Sequence, residues 1–176
     1  MRYVVGILMG ILVSGWMSIS AQPTDCRLDI NKLKPVIHRY NPFFTDHKWD
    51  SLTRIESARI SNTRYVVITQ GGCIRHHINM EMSMDPREVK KDKNFWPDQV
   101  KRFMYMIHFE DKSYPIYRAQ FEEGFALQFF RKGINESFNF PIGTRNFICQ
   151  ILYTAGKEAR ISIEQIEYVF KEKVLR

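Results

Sequence analysis

Apolar residues recur along this chain with three spacings, and each spacing predicts a different kind of segment. Tyr3 to Trp16 is an almost unbroken apolar run. From Leu52 onward the spacing becomes alternation: Ile55 to Ile60 predicts a strand, Ser61-Asn62-Thr63 a turn, and Arg64 to Met84 one long strand or two strands bent at Gly71-Gly72. Helical spacing takes over at Trp96-Pro97-Asp98, a helix start with Pro in its first turn, and continues through Val100, Phe103, Met104 and Ile107. A second helix is predicted over Tyr114 to Lys132. Its Ala119, Phe125, Leu127, Phe129 and Phe130 cover most of the circumference, which predicts burial between a sheet and another helix, with Gly133 as the stop.

The two ends of the folded region are less sharply patterned. Leu33, Val36, Ile37 and Tyr40 fit a short helix over Asp29 to Tyr40, interrupted by Pro35 and broken at Asn41-Pro42. Asn146 to Tyr153 and Ala159 to Phe170 read as a hairpin through Ala155-Gly156-Lys157-Glu158. Ile163, Ile166 and Phe170 also fit a terminal helix, but Ile161 and Ile163 alternate and β-branched residues are dense, which favours a strand. The resulting order, β-β-α-α-β-β, predicts an α+β fold: an antiparallel sheet of about four strands with helices packed on one face.

The first apolar run changes the compartment. Arg2 supplies a positive start and Ser18-Ile19-Ser20-Ala21 a small-residue cleavage zone, so residues 1–21 read as an export signal and residues 22–176 as a single globular domain. The run is shorter than the ~20 residues of a spanning helix, so no stable membrane span is expected after signal removal. The expected location is periplasmic or extracellular. The remaining chain of about 155 residues is long enough for one core, and the 13 Phe, 8 Tyr and 3 Trp spread along the whole sequence fit a folded globule. The polar stretch Asp85 to Asn94 is too short to divide two domains and reads as a strand-to-helix connection.

Charge adds little. The formal net charge is +7, and loss of residues 1–21 removes Arg2 and no acid, leaving +6. The basic residues are scattered apart from Lys90, Lys91, Lys93, Lys101 and Arg102, which read as a solvated face. No aromatic-and-basic stacking motif accompanies them, and nucleic acid is not an expected partner.

Gly71 to Met84, GGCIRHHINMEMSM, holds the one cysteine–histidine cluster in the sequence. On a strand, Gly72, Ile74, His76, Ile78, Met80, Met82 and Met84 share one side, which should be core, and Cys73, Arg75, His77, Asn79, Glu81 and Ser83 share the other. His76 and His77 therefore diverge, and adjacent strand residues cannot both reach a zinc ion at about 2 Å, so no metal is expected. Cys73 lies roughly 13 Å along the strand from His77, too far for a nucleophile–base pair. In an exported chain, three cysteines point to one disulfide and one leftover thiol. Cys26–Cys73 is favoured because it would tie down the start of the mature chain, with Cys149 a buried free thiol. A Cys73–Cys149 crosslink between neighbouring strands stays open.

No P-loop, GxSxG, HExxH or CxxC occurs, no cofactor is implied and no catalytic residue is assigned. Asn135-Glu136-Ser137 matches a glycosylation acceptor, a short pattern that matters in a glycosylating host. The expectation is a non-enzymatic binding or interaction protein, of the inhibitor or immunity kind, that meets an unknown protein or envelope ligand through Arg75, His77, Asn79 and Glu81. Two other readings stay open. One is a hydrolase-like enzyme whose site converges in the fold around His77 and Glu81. The other is a structural component of an envelope assembly that uses edge strands.

Overall fold

The computed structural model describes residues 28–112 and 114–168. The predicted signal segment 1–21, Cys26 and the predicted strand end at Phe170 lie outside them. A first meander runs through β1 (Thr45–Asp50), β2 (Ile55–Ser61), β3 (Arg64–Gly72) and β4 (Arg75–Met84). The chain then leaves the sheet for α1 (Phe95–Ile107) and α2 (Tyr114–Lys132), and returns in a second meander of β5 (Ser137–Ile142), β6 (Arg145–Thr154) and β7 (Glu158–Tyr168). β7 pairs with β4, so the two meanders merge into one seven-stranded antiparallel sheet in the order β1-β2-β3-β4-β7-β6-β5.

This architecture overturns the expected α+β fold with a sheet of about four strands in the order β-β-α-α-β-β. The described residues form a mainly β structure with seven strands and two α-helices, and the order along the chain is four strands, two helices, three strands. Three physical reasons account for the difference. β1, TDHKWD, is a largely exposed edge strand and carries no apolar alternation to mark it. β5, SFNFPI, does alternate, with Phe138, Phe140 and Ile142 buried, but it is only six residues long and contains Pro141, a residue that strands tolerate at an edge. The stretch 64–84 is two strands, because Gly72 adopts φ +110° and a Cβ there would lie 1.8 Å from the Arg75 carbonyl oxygen.

Alternation decides what each strand buries. Val66 and Ile68 of β3, Met80 and Met82 of β4, Ile161 and Ile163 of β7, and Phe147, Cys149 and Ile151 of β6 all point to one side and are almost fully buried. Val100, Phe103 and Met104 of α1 and Phe121, Phe125 and Phe129 of α2 belong to the same core. Fully burying one such side chain contributes about 1.5–3 kcal/mol. α2 approaches the second meander closely: the Phe121 ring is 5.1 Å from that of Phe147 and 5.5 Å from that of Phe140. Gly124 makes room, since a Cβ there would stand 2.7 Å from the Phe140 ring.

Two smaller expectations also change. α2 is not buried all round: Leu127 and Phe130 are each 60% exposed, because the described residues include no layer beyond the helices. The predicted helix over Asp29–Tyr40 reduces to one 3-10 turn, Ile30–Lys32. Beyond it, the Val36 and Ile37 amides donate not to a helix but to the two carboxylate oxygens of Glu56, at 2.8 and 3.0 Å. Glu56 is fully buried on the core side of β2, where His47 Nε2 also meets it at 2.5 Å. Burial pushes its carboxyl above the usual range, against the opposing pull of His47 and the two amides.

Candidate functional site

Register, rather than sequence proximity, builds the outward face of the sheet. Asn79 lies opposite Glu164 and Glu81 opposite Ser162 across β4 and β7, while Ile148 and Gln150 of β6 continue the same two rows. Thr69 and Val67 of β3 extend those rows on the other side. The face therefore mixes charged and amide side chains with half-buried Val67, Ile148 and Ile166.

The polar groups hold one another in place across the β4–β7 seam. Ser162 Oγ donates to Asn79 Oδ1 at 3.3 Å, and Asn79 Nδ2 donates to Glu81 Oε1 at 3.2 Å. Arg160 Nη1 donates to Glu81 Oε2 at 3.2 Å, and its Nη2 stands 3.2 Å from Glu158. His77 Nδ1 lies 2.7 Å from Glu164 Oε1. The three that cross the seam, Ser162–Asn79, Arg160–Glu81 and His77–Glu164, run diagonally between β7 and β4, a reach that side chains have on a pleated face. The surface they make holds a depression of about 340 Å³ lined by Asn79, Ser137, Ile148, Gln150, Ser162 and Glu164. At one end Tyr65, 54% exposed, joins Ser83 and Arg160 along a wider cleft of about 650 Å³.

The structure brings His77, Asn79 and Glu81 together on this face and places Arg75 at the exposed start of the same strand. Sequence reasoning missed their partners Arg160, Ser162 and Glu164. The signal for their facing was present, since Ile161 and Ile163 on the core side leave 160, 162 and 164 on the other; the adjacency of β7 to β4 had no local signal. On the core side of β4, Met80, Met82 and Met84 are buried, His76 and Ile78 half-buried. Ile74 does not belong to that side: it sits in the turn before β4 and is 52% exposed. His76 Nε2 meets Gln70 Oε1 at 3.2 Å, and burial lowers its pKa.

The remaining described histidines are engaged elsewhere: His38 with Glu110 at 2.7 Å, His47 with Glu56, and His108 with Asp111 at 3.3 Å. At the outward face, Ser162 donates to Asn79 and His77 meets Glu164. The described residues hold no group of three or more His, Cys, Asp or Glu placed for a metal. No described helix is long and apolar enough to cross a membrane. Cys149 is free and buried, and burial raises its thiol pKa. The Asn135 side chain, the sugar acceptor of the sequence pattern, bridges the Tyr153 backbone at 3.1 and 2.8 Å.

Comparison of the chain with family models, with curated proteins and with solved structures finds no match.

Proposed function

We propose that this chain is an exported, non-enzymatic binding module that docks a partner protein on the outward face of β4 and β7, around His77, Asn79 and Glu81. The observation that carries this reading is the preordered polar network laid across an open surface. Ser162, Asn79, Glu81 and Arg160 are fixed by one another, so a partner meets them without first immobilising them. Half-buried aliphatic residues between them and Tyr65 with Arg160 at one end supply the mixed character of a protein-binding patch and residue types enriched where binding energy concentrates.

The export signal at residues 1–21 and a periplasmic or extracellular location belong to this proposal, as does a Cys26–Cys73 crosslink. The crosslink is supported by the free, buried Cys149 and by the Leu28 amide, which donates to the Cys73 carbonyl at 2.9 Å only two residues after Cys26. Nonreducing peptide mapping of the exported protein is expected to find Cys149 unpaired.

The test is an affinity capture of the mature chain from an envelope extract with crosslinking. One specific protein is expected, and the His77→Ala/Glu81→Ala double variant should lose it while Glu123→Ala, on α2, retains it. Equal capture by the double variant overturns the assignment of the face.

A further inference from the structure

A second cleft lies on the opposite side of the sheet, where the β5–β6 turn faces the first half of α2. It measures about 380 Å³ and is lined by Ile116, Tyr117, Gln120, Ile142, Arg145 and Glu167, with the backbone of the turn completing it. Arg145, the first residue of β6, lays its guanidinium over the Tyr117 ring, 4.6 Å from the centroid. Tyr117 is itself buried and clamped by Tyr114 and Phe147, with ring centroids 5.4 and 6.2 Å away, so the platform under the guanidinium is rigid.

The guanidinium is held but underused. Its Nε lies 3.5 Å from Glu167 Oε2, without a hydrogen bond, and is shielded from solvent. Glu167 offsets the charge at that nitrogen without closing a hydrogen bond, and the rest of the planar fork, which lines the cleft, matches a carboxylate. We propose that this cleft binds the carboxylate of a small apolar acid, with Arg145 as the anion ligand and Ile116 and Ile142 against the hydrocarbon part. Three features favour that class. Glu167 beside Arg145 already supplies one negative charge, which repels a phosphate dianion more than a monoanion. The guanidinium over the Tyr117 ring lines the cleft, and its planar fork is one that a carboxylate meets in two parallel bonds. Ile116, 82% exposed on the lip, is an apolar contact that a bare inorganic anion would leave unused.

The site is independent of the partner-docking face, and its test separates the two. Isotope-labelled protein is titrated with hexanoate, hexyl phosphate and hexanol while backbone amide resonances are followed. Hexanoate is expected to shift Gly143, Thr144 and Ile116 saturably, and to bind more tightly than hexyl phosphate or hexanol. Arg145→Gln should weaken hexanoate by roughly tenfold or more, the scale of a lost charge-assisted hydrogen-bond pair. Arg145→Lys, which keeps the charge without the fork, should weaken it less, and provides the comparison should the Gln variant fail to fold. Gln150→Ala, on the outward face, should leave hexanoate binding unchanged. The proposal is overturned if hexanoate gives no saturable shift up to its solubility limit, if hexyl phosphate or hexanol binds as well, or if a folded Arg145 variant binds hexanoate as tightly as the unaltered protein.

Discussion

The two faces of one sheet treat the same chemical group in opposite ways. On the core side, Glu56 is completely buried and receives two backbone amides and a histidine. On the outward side, Glu81 and Glu164 are about one-third exposed and are held by side chains alone. A buried carboxylate must have its partners or it destabilises the fold, whereas an open one loses little when a partner goes, because water replaces it. Face, rather than residue type, therefore decides which acids are structural and which the fold can spare for the proposed docking.

The strongest challenge to this contrast is a core truncation. Phe121→Ala is expected to destabilise by about 3–5 kcal/mol in urea unfolding, from lost burial plus the cavity left against Phe140 and Phe147. Ile148→Ala, on the outward face, should lose well under half of that. Glu56→Ala comes next, at about 2–4 kcal/mol, because the Val36 and Ile37 amides and His47 lose their shared acceptor. Hydrogen exchange at Val36 and Ile37 should accelerate in that variant, and unchanged protection there would show that the carboxylate does not hold the segment.

The same acid sets a pH dependence. Its folded pKa is raised above the unfolded value, so the folded state binds the proton more tightly. The contribution is then full below the unfolded pKa and is lost as pH rises through the window up to the folded one. The stability of the unaltered protein relative to Glu56→Gln should therefore increase as the solution is acidified through that window. A difference that shrinks on acidification would mean that His47 and the amides outweigh desolvation.

Gly124→Ala is a smaller effect with an informative sign. Alanine is favoured over glycine in a helix by about 1 kcal/mol, yet its methyl would meet the Phe140 ring. A net loss of about 1–2 kcal/mol is expected if the ring cannot shift, and a gain in thermal stability would show slack between α2 and β5. The smallest effect belongs to the outward face: Glu81→Ala and Arg160→Ala should each change unfolding free energy by no more than about 1 kcal/mol, while the capture of the partner falls.

How much of this was legible in the sequence depends on whether the cue is local. The boundaries of α1 and α2, the turn at Asn62-Thr63 and the strand nature of β7 follow from spacing and turn residues next to each other in the chain. β1 was not legible because a solvated edge strand has no apolar side to alternate. Glu56 carried no local cue, because its role as an acceptor depends on Val36, Ile37 and His47 from other segments. The site was half legible: alternation placed His77, Asn79 and Glu81 outward, but their partners come from a strand 87 residues away in the case of His77 and Glu164. The Arg145 cleft needed three elements to be placed in space.

The pairing of β7 with β4 also has a kinetic meaning. Each meander closes through local hairpins, but the seam between them joins segments separated by two helices, a slow kind of contact to form. Until it forms, β4 and β7 present unpaired backbone to any neighbouring chain. His77–Glu164 and Glu81–Arg160 both straddle that seam. The proposed docking surface thus does not exist in a half-folded molecule, and a partner that recognised it would select chains whose last strand is already in place.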